Sequence, residues 1–332
     1  MRKLELVCPA GTPAALRAAV DAGAHAVYCG FADETNARNF PGLNFSRAEL
    51  ATGVAYAHAR GAKVLVAINT FPIPGREALW REAVADAETA GADAAILADI
   101  GVLAYAAENH PRLRRHLSVQ AAAANPDAIN FYAETFGVRR VVLPRVLTVA
   151  EIAAINREID AETEVFVFGG LCVMAEGRCA LSSWATGESP NLSGACSPAA
   201  HVVYAEEADA LVLKLGGLTL HRSPKDAPQP YPTLCKGCFA TEQGGARRES
   251  HVFEDPMSLD AATLLPDLAA AGVTALKIEG RQRSRAYVSA VVSSFRKAVD
   301  ALAAGRPAPP GALAALCEGG DATQGAYRKT WR

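Results

Sequence analysis

What this 332-residue chain lacks narrows its class first. No apolar run approaches the roughly 18–20 residues that a membrane-spanning helix needs, so no transmembrane segment is expected. Neither sign of charge dominates: 33 Lys and Arg face 35 Asp and Glu, a formal net charge of −2. Such a balance lacks the basic footprint of a dedicated polyanion binder, and no nucleic-acid partner is expected from it. Disorder needs low hydrophobicity with high net charge, and here half the residues are hydrophobic and only 20% are charged. The N-terminal MRKLELVCPAG is basic, but Glu5 interrupts the short apolar stretch and makes a poor signal peptide. No Gly-x-Gly-x-x-Gly follows the first strand-like run, which weakens a dinucleotide-binding reading. No His-Glu-x-x-His is present, and the seven histidines show no metal-ligand spacing. A cytoplasmic α/β protein is expected.

What is present is a repeated junction: Gly, a small residue, two variable residues, then an apolar run. It occurs at Gly23, Gly61, Gly91, Gly137 and Gly272, each after a stretch with helical periodicity. Glycine ends helices because it adopts the left-handed conformation without a Cβ clash. The four to six apolar residues that follow read as fully buried parallel strands. With Leu4–Cys8, Leu117–Gln120 and Glu164–Phe168 they make eight candidate strands alternating with helices, and Thr12-Pro13 reads as a helix start. The fold expected is a TIM-like (β/α)8 barrel over residues 1–168 and 256–305. Residues 169–255 break the rhythm and read as a cysteine-rich insertion after the seventh strand. Residues 306–332, beginning with the Pro-rich Pro307-Ala-Pro-Pro-Gly, read as a C-terminal tail.

Five of the eight cysteines fall in that insertion, at 172, 179, 196, 235 and 238. Four thiolates suit either a tetrahedral zinc or an iron–sulfur cluster. Only Cys235 and Cys238 have the close spacing usual for structural zinc, and a cluster accepts ligands from dispersed loops. Buried free cysteines are the plain alternative. Cys8, Cys29 and Cys317 read as structural, although Cys8 and Cys29, at strand ends, would line the barrel mouth.

The segment Glu164-Val-Phe-Val-Phe-Gly-Gly-Leu-Cys-Val-Met-Ala-Glu-Gly-Arg-Cys-Ala-Leu-Ser182 resembles the signature of the collagenase-like peptidase family U-32 at every fixed position. Further segments, among them Thr35-Asn-Ala-Arg38, Val141 to Leu147, Thr186 to Asn191 and Lys277 to Ser284, are similar to the ubiquinone-biosynthesis branch of that family. The resemblance implies oxygen-independent hydroxylation of the ubiquinone ring, with a UbiV-like paralogue in a heterodimer and a ubiquinone precursor as substrate. It implies a 4Fe-4S cluster on Cys172, Cys179, Cys196 and Cys235, with Cys238 as a departure that competes with Cys235 for one iron. Prephenate is implicated as oxygen source. Related branches hydroxylate bases of tRNA or rRNA, and the family name comes from a proteolytic activity for which no motif is readable here.

In a barrel, strand ends converge on one pocket, so Asn69, Asp99, Gln120, Arg145, Glu279 and Arg281 are candidate substrate residues. Arg145 and Arg281 could pair bidentately with carboxylates of an anionic donor. Glu279 could instead bridge to Lys277 or Arg281. Asn69, Gln120 and Asp99 could serve as caps or loop-fixing hydrogen bonds.

Overall fold

The computed structural model describes residues 4–227, 229–307 and 313–328, so most of the Pro-rich stretch and the last four residues fall outside them. Seven strands pair in parallel and in sequence order: β1 (Glu5–Pro9), β2 (Ala26–Gly30), β3 (Lys63–Ile68), β4 (Ala94–Leu97), β5 (Arg114–Leu117), β6 (Val138–Val142) and β7 (Glu162–Gly170). Beyond β7 the chain leaves the barrel rhythm. There β8 (Val202–Glu206), β9 (Ala210–Leu215) and β10 (Leu218–Pro224) form an antiparallel sheet, and β11 (Cys238–Gln243) and β12 (Ala246–His251) form a hairpin. A short β13 (Ser258–Asp260) runs antiparallel to the end of β7. β14 (Ala275–Ile278) then pairs with both β7 and β1 and closes an eight-stranded parallel barrel. β15 (Ala322–Thr323) adds to β13 and returns the C-terminal segment to the barrel, so residues 313–327 pack against it rather than trail from it.

Helices α1 (Pro13–Asp21), α2 (Arg47–His58), α3 (Ala78–Thr89), α4 (Ile100–Asn109), α5 (Pro126–Phe136) and α6 (Val149–Asn156) fill the successive crossovers. The hydroxyl of Thr12 accepts the Ala15 amide at the start of α1, and Ser46 with Glu49 forms a capping box at α2. All five junction glycines hold positive φ, from 64° at Gly137 to 100° at Gly23. The helix-stop reading of that repeat is therefore borne out.

One strand sits elsewhere than expected. β5 covers Arg114–Leu117, and Val119–Ala121 is a single helical turn, whereas the apolar pattern pointed to 117–120. Arg114, Arg115 and His116 hide the strand from a hydrophobic reading. Arg114 pairs with Glu162 at 2.8 Å, and Arg115 donates to the carbonyls of Phe136 and Leu113.

The barrel interior explains those polar strand residues. Its apolar part is small, with Ala26, Ala67, Ala94 and Ala275 beside Val7, Tyr28, Leu65 and Ile96. Where bulky aliphatic side chains usually fill such a barrel, the fully buried Glu164 binds Lys277 Nζ at 2.6 Å and Arg140 at 3.4 Å. Arg140 continues to Glu162 at 2.6 Å and to Glu5.

Candidate functional site

The C-terminal strand ends surround a pocket lined by Tyr28, Asn69, Gln120, Arg145, Glu279 and Arg281, with Lys277 also on its wall. Five of these were expected from the sequence, and the fold brings them together. Asp99 is not among them. It caps α4, its carboxylate accepting the Val102 amide at 2.9 Å.

Each charged group here is already oriented by the protein. Arg145 donates from Nε to Glu176 at 2.6 Å and from Nη1 to the Gly170 carbonyl, and its guanidinium lies 4.2 Å from the Phe166 ring centroid. It is thus engaged with Glu176 rather than held open for a ligand carboxylate. Arg281 donates to Asn36 Oδ1 at 2.6 Å, and burial draws its guanidinium down to about 10, which leaves it charged at neutral pH. The expected bridges from Glu279 are corrected: Lys277 pairs with Glu164 and Arg281 with Asn36. Glu279 accepts instead from the Gly170 amide at 3.2 Å. Burial alone would raise the Glu279 carboxyl. Arg38, Arg145, the Gly170 amide and Arg283 outweigh it and hold the group below the usual range. Asn69 takes a loop-fixing role as well, accepting the Ala37 amide at 3.1 Å. The buried Gln120 Oε1 has no partner.

Above this pocket lies a cavity of about 370 Å³ that shares Arg38, Gln120, Arg145, Glu176 and Glu279 with it. Cys172, Cys179, Cys196 and Cys235 all line it. The first three come from the loops around the short helices α7 (Leu181–Thr186) and α8 (Pro190–Ser193), and Cys235 from the turn Leu234–Lys236. These loops are pinned by side chains: Asn191 accepts the Cys179 amide at 2.8 Å, and Ser182 donates to the Cys196 carbonyl at 2.7 Å. Burial raises the thiols of Cys172, Cys196 and Cys235. The thiols also act on one another: Cys179 and Cys196 raise Cys235, while Arg38 and Arg145 lower Cys196.

This donor set can be tested against the group implied by the resemblance. Among the described residues no three His, Cys, Asp or Glu side chains gather tightly enough to hold one metal ion. A tetrahedral zinc with bonds of about 2.3 Å would need its sulfurs roughly 3.8 Å apart. Four thiols from separate loops around a common cavity are the number and kind of donors that a cluster of several irons takes. Cationic Arg38 and Arg145 lie where the charge of thiolate ligands would be compensated. The residues present therefore fit a four-iron cluster.

The remaining cysteines stand apart. Cys238 opens β11 opposite His251 and is absent from the cavity lining, three residues from Cys235 but on the far side of the turn. Cys8 and Cys29 do not line the mouth, because strand alternation turns them outward into the layer that holds Leu16 and Ala19 of α1. Cys317 is buried and donates to the Leu313 carbonyl.

Sequence reasoning passed over Arg38, Glu176 and Lys277 as site residues. All three stand inside the segments that carry the family resemblance, and that was the signal that could have found them. Gly177, inside the Cys172–Cys179 loop, has a φ of 80°, and a Cβ there would overlap the Gln120 carbonyl oxygen. Gly177→Ala is expected to displace that loop and expose the Cys172 and Cys179 thiols, measured as alkylation by iodoacetamide severalfold faster than in wild type.

An α/β barrel with a thiol-lined cavity above its C-terminal mouth is the class of protein these features define. The chain belongs to Peptidase family U32, whose model matches residues 11–318. It is 32% identical to tRNA hydroxylation protein P of Haemophilus influenzae, over 92% of this chain and 69% of that protein. It is 33% identical to tRNA hydroxylation protein P of Escherichia coli, over 92% of this chain and 70% of that protein. To the 23S rRNA 5-hydroxycytidine C2501 synthase of Escherichia coli it is 30% identical, over 90% of this chain but only 40% of the synthase.

Proposed function

We propose that this chain is the iron–sulfur subunit of an oxygen-independent hydroxylation of the ubiquinone ring, a UbiU-like protein. On this reading Cys172, Cys179, Cys196 and Cys235 hold a 4Fe-4S cluster. A UbiV-like paralogue completes a heterodimer in the cytoplasm, and prephenate supplies the oxygen. The observation that carries the proposal is the wall shared by the four-thiol cavity and the barrel-mouth pocket.

When bound, such a cluster supplies one-electron chemistry beside the pocket. The chain's own residues do the rest. Lys277 and Arg281 present positive charge at the pocket wall, held by Glu164 and Asn36. Arg145, tied to Glu176, forms part of the partition between the two spaces. No histidine lines either space among the described residues, so the mouth offers no histidine base for a peptidase triad.

A second reading, hydroxylation of an RNA base, is favoured by the names of the relatives. The net charge of −2 argues against it, because RNA binding draws its affinity from basic surface. Deleting the gene and profiling both quinone intermediates and modified nucleosides separates the two. A hydroxylation-blocked ubiquinone precursor confined to anaerobic cultures is expected. Normal ubiquinone together with loss of a hydroxylated nucleoside would sink the quinone reading in favour of RNA.

A further inference from the structure

The segment that carries Cys235 is gripped at both ends by one carboxylate from the far end of the chain. Glu318 Oε1 accepts the Tyr231 amide at 2.7 Å, and Glu318 Oε2 accepts Lys236 Nζ at 2.5 Å. Both side chains of the Lys236–Glu318 pair are almost fully buried, at 4% and 2% exposure, and both line the four-thiol cavity. Cys235 sits between the two anchor points. Its own thiol donates to the Thr233 hydroxyl at 3.5 Å.

Glu318 is itself fastened to the barrel. Its amide donates to Ser258 Oγ at 2.8 Å on β13, β15 pairs with β13, and the Tyr327 hydroxyl reaches the Phe166 carbonyl at 2.5 Å. Lys236 also donates to the Met257 carbonyl at 3.2 Å. Further ties on the loop include Ser197 Oγ to the Pro232 carbonyl and His251 Nδ1 to the Lys236 carbonyl. Neither of these reaches the barrel directly.

A buried ion pair is a poor device for net stability, because desolvation offsets most of the attraction. What this pair supplies is a fixed distance between the barrel and a loop about 80 residues upstream, as a doubly hydrogen-bonded carboxylate does. We propose that Glu318 is a positioning residue for Cys235: the C-terminal segment is a clamp that holds the fourth thiol at the cavity. The inference rests on the cluster reading for its purpose but not for its test.

The test uses the full chain, purified anaerobically, as wild type, Glu318→Ala, and the double variant Glu318→Gln with Lys236→Met. The double variant keeps an acceptor for the Tyr231 amide and removes the buried cation that would otherwise lose its partner. In protein stripped of iron, alkylation of Cys235 by iodoacetamide is compared with that of Cys196 in the same chain by peptide mass spectrometry. Release of the clamp is expected to speed Cys235 relative to Cys196 about tenfold, the factor that ~1.4 kcal/mol of lost hold gives. The double variant, which keeps only the hold on the Tyr231 amide, is expected to fall between wild type and Glu318→Ala. In the iron-loaded chain, Glu318→Ala is expected to retain less iron than wild type, as Cys235→Ala is also expected to do.

An unchanged alkylation ratio in folded Glu318→Ala overturns the proposal. So does a double variant at the wild-type ratio, because the effect of Glu318→Ala would then come from the unpaired Lys236 charge rather than from a lost clamp. If Glu318→Ala does not fold, Glu318→Gln takes its place, with an intermediate ratio expected. Wild-type chain without iron or labile sulfide would overturn the cluster reading, and the alkylation ratio would still decide the clamp.

Discussion

Alanine at Cys172, Cys179, Cys196 or Cys235 is expected to abolish the proposed hydroxylation, one substitution at a time. Cys238→Ala is expected to leave that function intact. Wild-type chain purified without oxygen should carry about four irons and four sulfides with broad absorption near ~400 nm. Each of the four variants should fall to a small fraction of that iron, and Cys238→Ala should keep it. The reason is positional: four thiols line one cavity, while Cys238 lies on β11 outside it. Iron retained in Cys172→Ala together with its loss in Cys238→Ala would reverse the assignment. Zinc without sulfide in the wild type would refute the cluster altogether.

The second large effect lies inside the barrel. Glu164→Ala removes the acceptor shared by Lys277 and Arg140, both of which remain buried. Leaving uncompensated buried charge costs about 3–5 kcal/mol, a large part of the ~5–15 kcal/mol that holds a typical domain together. Denaturant unfolding followed by circular dichroism should show the midpoint falling sharply with the slope unchanged. Pairing Glu164→Leu with Lys277→Met removes the charge couple that faces the mouth and is expected to recover part of the loss. Arg140 keeps Glu5 and Glu162 in that variant. Equal stability of Glu164→Ala and wild type would mean that water reaches this pair.

The recovery of the barrel from sequence rested on local chemistry. Gly23, Gly61, Gly91, Gly137 and Gly272 announce helix ends because their backbone demands a positive φ, and the apolar runs after them have only one way to be buried. β5 escaped because its strand residues are Arg114, Arg115 and His116, whose partners Glu162 and Phe136 lie far along the chain. Cys8 and Cys29 were placed at the mouth because strand ends point there. Alternation along β1 and β2 turns them to the helix layer instead. Glu279 was offered Lys277 and Arg281 as neighbours in sequence, yet a strand sends Lys277 down the barrel to Glu164.

The sequence by itself determined the barrel, the place of the insertion, the near balance of charge and the residue types gathered at the mouth. Each of these is written in short-range periodicity, in glycine or in composition. Only the tertiary structure decided that four cysteines spread over 64 positions line one cavity and that a fifth, three residues on, does not. It also decided that Glu318 holds the loop of the last of the four. Spacing along a chain fixes which residues share a turn or a strand face, whereas loop closure between distant elements depends on where the barrel puts their ends.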